Sequence, residues 1–261
     1  MIGSQSKTEA TQMHDHRNNT ARGTVLRVLG CLMLIAGSAG AQLTPIPQAD
    51  SAEEFDAFLQ VQAKTKPAEV ITAAAEFERA WPHSPLRGPV CQMELEAYRS
   101  INDTANAITA GECVLQFAPG NLAVLAELAN ITANATTDAE RLTAAEGYAH
   151  KLLESLPAFK VPRSVLPQDW QREEGQLQSQ AHAALGLIAY KRGQTPEAIQ
   201  EFETATRLAP NPDATQYYRL GLLYAVGGRK PEAIVALKRA AELGDITIRQ
   251  LAERQVEKLQ R

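Results

Sequence analysis

The chain has 261 residues, 44% hydrophobic and 21% charged, with a net charge of −4 at pH 7. That is ordinary globular composition with enough apolar mass for a sizeable core. The acidic balance, without any basic run or aromatic-basic interleaving, speaks against nucleic acid as a partner.

In chain order, residues 1–21 are polar and irregular, and Arg22 and Arg27 then precede "VLGCLMLIAGSAGAQ". The apolar stretch from Val28 to Ala36 has about the length of a signal-peptide core and is short for a bilayer span. Ala39 and Ala41 put small residues before a plausible cut that leaves Gln42 first, so residues 1–41 read as a Sec-type export signal. An uncleaved anchor is the rival reading. Lipidation at Cys31 is disfavoured, because most of the apolar run follows that cysteine. The polar lead is long enough that the true start can lie as late as Met13. Removing residues 1–41 takes away four basic and two acidic residues, leaving 22 basic against 28 acidic and a net of −6. Two cysteines remain, Cys91 and Cys113.

After a Pro-containing lead at 42–50, helical periodicity governs the rest. Few aromatics and frequent Ala and Leu favour helix, and no alternating pattern is long enough for a sheet. The clearest organisation lies late. "LGLIAYKRGQTPEAIQEFETATRLAP" begins at Leu185, and "LGLLYAVGGRKPEAIVALKRAAELGD" repeats its plan from Leu220, 35 residues on. Each copy holds two apolar helical patterns split by a polar turn. Gly193 can end the first helix with positive φ, Thr195 can cap the next and Pro196 suits its first turn. Ala198, Ile199, Phe202, Ala205 and Leu208 then recur at three and four, the period of one buried helix face.

This pattern resembles a tetratricopeptide repeat, in which Trp-x2-Leu-Gly-x2-Tyr is followed by Ala-x3-Phe and Pro over about 34 residues. In the first copy His182 stands in the Trp slot, Leu185 and Gly186 match, Ala189 replaces Tyr, and Ala198, Phe202 and Pro210 match. In the second, Tyr217 stands for Trp, Leu220, Gly221, Tyr224 and Ala233 match, Leu237 replaces Phe, and Asp245 sits where Pro is expected. The Ala-x3-apolar-x7-Pro half also fits Ala73, Phe77 and Pro85; Ala107, Gly111 and Pro119; and Ala145, Ala149 and Pro157. The Ala slots at 73, 107, 145, 198 and 233 are spaced by 34, 38, 53 and 35 residues, the 53 leaving room for an insertion. Tyr98 lies nine residues before Ala107, as Tyr224 does before Ala233.

The expectation is an all-α fold: an α-solenoid of about five such helical hairpins with a C-terminal capping helix. Residues 51–157 form degenerate hairpins, 158–176 an insertion or linker, 177–246 two well-matched repeats, and 247–261 the cap, whose polar outer face suits a terminal position.

Motifs for chemistry are missing. There is no phosphate-binding Gly-x4-Gly-Lys loop, no Gly-x-Gly-x2-Gly, no Gly-x-Ser-x-Gly elbow, no His-Glu-x2-His and no Cys-x2-Cys pair. His83, His150 and His182 show no ligand spacing, and His14 and His16 fall in the discarded segment. Glu53–Glu54 and Glu173–Glu174 are adjacent residues that face different directions on a helix. No catalytic residue, metal, cofactor or small-molecule substrate is therefore expected. Cys91 and Cys113 fall on the two antiparallel helices of one hairpin and can face each other. In an oxidising compartment a disulfide is one reading, and two small buried thiols are the other.

The resemblance implies protein–protein interaction. Stacked hairpins leave their first helices lining a concave groove. With Leu185 and Ala189 assigned to packing, the groove stripe is Ala183, Leu187, Tyr190 and Lys191, then Tyr218, Leu222, Ala225 and Val226 in the next unit. In the second hairpin the stripe is Gln92, Glu96 and Arg99. Related proteins that clamp a C-terminal carboxylate use Lys, Arg and Asn here, and Leu187 and Leu222 stand where Asn is expected, which disfavours that mode. The reading is a non-catalytic scaffold in the bacterial envelope, periplasmic as a Sec signal implies, holding an unidentified protein or peptide. Its alternative is an assembly or structural subunit of an outer-membrane or secretion complex, docked by its end or convex face.

Overall fold

The computed structural model describes residues 47–211 and 213–261. The signal reading of residues 1–41, and Cys31 with it, lies outside the described residues. Among these, eleven α-helices and no strand are found. They pair as α1 (Ala52–Gln62) with α2 (Pro67–Ala80), α3 (Arg87–Ser100) with α4 (Thr104–Phe117), and α5 (Leu122–Ala135) with α6 (Ala139–Ser155). Then come α7 (Pro167–Lys191) with α8 (Thr195–Leu208), α9 (Ala214–Val226) with α10 (Lys230–Leu243), and a last helix, α11 (Ile246–Gln260). The all-α solenoid of five hairpins and a final helix holds.

Helix starts are written locally. Asp103, Asn121, Asp138, Asp213 and Asp245 each accept a backbone N–H from the first turn they precede, satisfying donors that have no partner within the helix. Pro67, Pro167, Pro196 and Pro231 occupy first turns, where the missing N–H costs nothing.

Three hairpin turns are the same object. Asn102, Gly193 and Gly228 take positive φ of 58°, 77° and 75°. The next residue's N–H then reaches back to the carbonyls of Tyr98, Ala189 and Tyr224 at 2.9, 2.9 and 2.8 Å. These acceptors are the three residues in the Tyr slot of the repeat. Glycine, or asparagine in its place, makes this left-handed closure accessible.

Each helix packs on its sequence neighbours. First helices also meet one another at α1–α3, α5–α7 and α9–α11, while no two second helices pack comparably. The layer of first helices is thus the shorter, inner side of a curved stack. Residues 158–176 are not a free linker. A 3-10 turn at Leu156–Ala158 leads to Phe159, whose ring stacks on Trp170 with centroids 4.7 Å apart. Pro167 already starts α7, which is consequently 25 residues long.

Candidate interaction surfaces

The inner side is less open than the sequence stripe implies. Ala183 and Leu187 are 5% and 6% exposed, and both belong to the main core cluster with Ala133 of α5 and Leu220 of α9. This corrects their assignment to a groove. Every residue from Ala183 to Ala189 is buried, because a first helix inside the stack is flanked by its own partner, by the preceding second helix and by the preceding first helix. No stripe remains free over those two turns.

Lys191 is also committed elsewhere. Its Nζ donates to the carbonyls of Ala133, Asn134 and Thr136 at 2.6, 3.1 and 2.6 Å. It closes the C-terminal end of α5, where unpaired carbonyls and the helix dipole favour a cation. Burial first, then the charge of Arg219, lowers its pKa. Tyr218 is half-buried and packs with the cluster that seats α11. Leu222 and Ala225 are half-buried. Tyr190 at 55% and Val226 at 73% exposure are the open members of the stripe.

Sequence reasoning missed Arg219, Asn130 and Asn134. Arg219 Nη2 donates to Asn134 Oδ1 at 2.7 Å, linking α9 to α5. Asn130 Nδ2 donates to the Gln180 carbonyl at 3.2 Å, linking α5 to α7. Arg219, Leu222 and Val226 share one face of α9 at i, i+3 and i+7. The signal was present as that spacing, one residue off the stripe drawn from Tyr218. Arg219 is half-buried, and among the described residues no carboxylate lies within ion-pair distance. Desolvation accordingly lowers its pKa, against a weaker opposing pull from Asp213. A cavity of about 330 Å³ lined by Thr104, Asn130, Ile131, Asn134 and Ala135 adjoins the amide that holds it.

Towards the first hairpins the inner side is polar: Arg99 pairs with Glu127 of α5 at 2.9 Å, and Gln92 donates to Glu96 at 3.2 Å. On the other side of the stack, α8 and α10 flank a cleft of about 560 Å³. Its floor is Tyr217, Leu220 and Tyr224, and its rim carries Glu203, Glu232 and Arg239. Val235, 69% exposed, stands on its wall.

Cys91 of α3 and Cys113 of α4 have Cα atoms 5.9 Å apart with their sulfurs at bonding distance. Glu78 of α2 completes a group of three side chains whose donor atoms all lie within 4.8 Å of one another. No described helix is long and apolar enough to cross a membrane.

Paired helices in register, positive-φ turns at equivalent positions and an inner layer of first helices define a helical-hairpin repeat solenoid. The tetratricopeptide repeat model matches residues 179–212, so the chain carries a tetratricopeptide repeat across α7 and α8. No curated protein sequence matches it. Among solved structures it is similar to YrrB, described as a TPR protein with an unusual peptide-binding site, at 17% identity over 78% of this chain and 92% of that one, with a TM-score of 0.53. It is also similar to MamA from Desulfovibrio magneticus RS-1, at 15% identity over 73% of this chain and 93% of that one, with a TM-score of 0.51. At these identities the shared property is the fold.

Proposed function

We propose that the chain is a non-catalytic interaction scaffold of the bacterial envelope that holds an extended peptide or protein segment on its inner side, with a carboxylate of that segment on Arg219. The observation that carries this reading is the unpaired guanidinium. Removing an arginine from water is costly unless a charged partner compensates it, and Arg219 has only a neutral amide. A carboxylate accepting from it would make a charge-assisted, bidentate bond. Leu222 and Val226, on the same face, supply apolar contact beside it. The YrrB resemblance supports a peptide as ligand class, and the absence of catalytic motifs in the sequence supports a holding role. Export rests on the signal reading of residues 1–41, and N-terminal sequencing of the secreted or periplasmic chain beginning at Gln42 tests it.

The second reading, docking by the outer face, is favoured by the α8–α10 cleft and exposed Val235. Selection of a displayed peptide library on the folded chain separates the two. Enrichment of Asp or Glu beside apolar residues, lost with Arg219→Gln, supports the inner site. Binders indifferent to Arg219→Gln but lost with Val235→Asp would move the site to the outer cleft.

A further inference from the structure

Glu78, Cys91 and Cys113 come from three successive helices, α2, α3 and α4, and meet at one point. Cys91 is fully buried, whereas Glu78 and Cys113 are half-buried and open the point to solvent. Glu78 Oε1 lies 3.6 Å from Cys91 Sγ. Around a tetrahedral zinc with bonds of about 2.3 Å to sulfur and about 2.0 Å to oxygen, sulfur and oxygen ligands stand about 3.5 Å apart. The Glu78–Cys91 spacing already matches that separation. A side-chain rotation that parts the two sulfurs is all the remaining adjustment, since their Cα atoms are 5.9 Å apart.

We propose that this triad is a thiol-gated site for a borderline divalent metal such as Zn²⁺, closed when Cys91 and Cys113 are joined and open when they are reduced. A dithiol reductant opens it: its two thiols become a disulfide as the Cys91–Cys113 bond takes up two electrons and two protons. Metal binding then displaces the two cysteine protons to water, and Zn²⁺ takes two thiolates and the Glu78 carboxylate, leaving one position for water. Two thiolates and one carboxylate exceed the charge of the ion by one. Arg87, whose Nη2 is 3.3 Å from Glu78 Oε1, balances that surplus. Sites of two cysteines with harder ligands suit zinc, and three protein ligands leave an open coordination position.

The test uses the full chain with Cys31→Ser, so that the third cysteine takes no part. After reduction with a phosphine, Co²⁺ is added as a spectroscopic probe and Zn²⁺ as competitor, with helicity followed by circular dichroism. One equivalent of Co²⁺ is expected to give a thiolate charge-transfer band that Zn²⁺ abolishes, and the unreduced chain is expected to give none. Glu78→Gln, which keeps both thiols, is expected to weaken binding by more than about tenfold, since losing an outer-shell partner alone already costs about that much. The proposal is overturned by a reduced, helical chain that takes up no Co²⁺, by reduction that unfolds the chain without metal restoring it, or by Glu78→Gln binding as tightly as the parent.

Discussion

A Cβ built on Gly186 would stand 2.8 Å from Cδ2 of Phe202, so the repeat's glycine and its aromatic are one contact across α7 and α8. Gly221 and Leu237 repeat it in the next hairpin, at 2.7 Å from Leu237 Cγ. Phe202 and Leu237 are fully buried and cannot retreat. Gly186→Ala should therefore lose stability by up to about 2 kcal/mol, an overpacking cost of about 1–3 kcal/mol outweighing the roughly 1 kcal/mol helix-propensity gain. Gly147 in α6 has no atom within 4 Å of its virtual Cβ. There Gly147→Ala should gain about 0.5–1 kcal/mol. Urea denaturation of both variants checks the opposite signs.

That contact explains why the fold was legible. Leu-Gly and Ala-x3-Phe are spaced to meet, and the Tyr-slot positions at 98, 189 and 224 were readable from their place nine residues before Ala107, Ala198 and Ala233; each turn closes on that residue's carbonyl. Even the degenerate second hairpin kept this register, with Asn102 standing in for glycine. The inner surface was not legible. The periodicity of α7 shows which residues face its own partner, but Ala183 and Leu187 are buried by neighbouring hairpins, and how closely those approach depends on the curvature of the stack. Arg219 escaped notice because its exposure and missing counter-charge are properties of two helices, α5 and α9, 85 residues apart in sequence.

Lys191 is a structural cation. Lys191→Met keeps the stem but leaves the carbonyls of Ala133, Asn134 and Thr136 without their donor. A loss of about 1.5–3 kcal/mol is expected, the range for hydrogen bonds to a charged group. Amide exchange should quicken in the residues that follow α5, whose closure Lys191 provides. Unchanged stability and exchange would show that water replaces the ammonium freely.

Glu94 sets a pH dependence. Burial first and Glu78 second push its carboxyl up to about 7, with partial relief from Arg87. The native chain therefore keeps a proton that the unfolded chain releases at the ordinary carboxylate pKa. The native state binds more protons in that window, so its stability falls as pH rises from about 4.5 through about 7. Glu94→Gln removes the titration. Relative to the parent it should gain stability at pH 8 over what it shows at pH 4, read from paired denaturation curves. Parallel curves at the two pH values would show that Glu94 ionises as freely as an exposed carboxylate.

Trp170 fastens the segment between the third and fourth hairpins. Its ring lies 15° from parallel to Phe159, and Phe159, Leu156 and Leu177 are buried with the third hairpin's core. Lys160 and Arg163 sit exposed in the intervening loop. A stacked aromatic pair contributes about 0.5–1.5 kcal/mol beyond its burial, and Trp170→Ala removes both. Because stacked repeats depend on nearest neighbours, the loss should be local. Trypsin should cut faster after Lys160 and Arg163, while the helices from α8 onward keep their protection in amide exchange. Loosening that spread to α9 and α10 would mean that the insertion braces the whole stack instead of one joint.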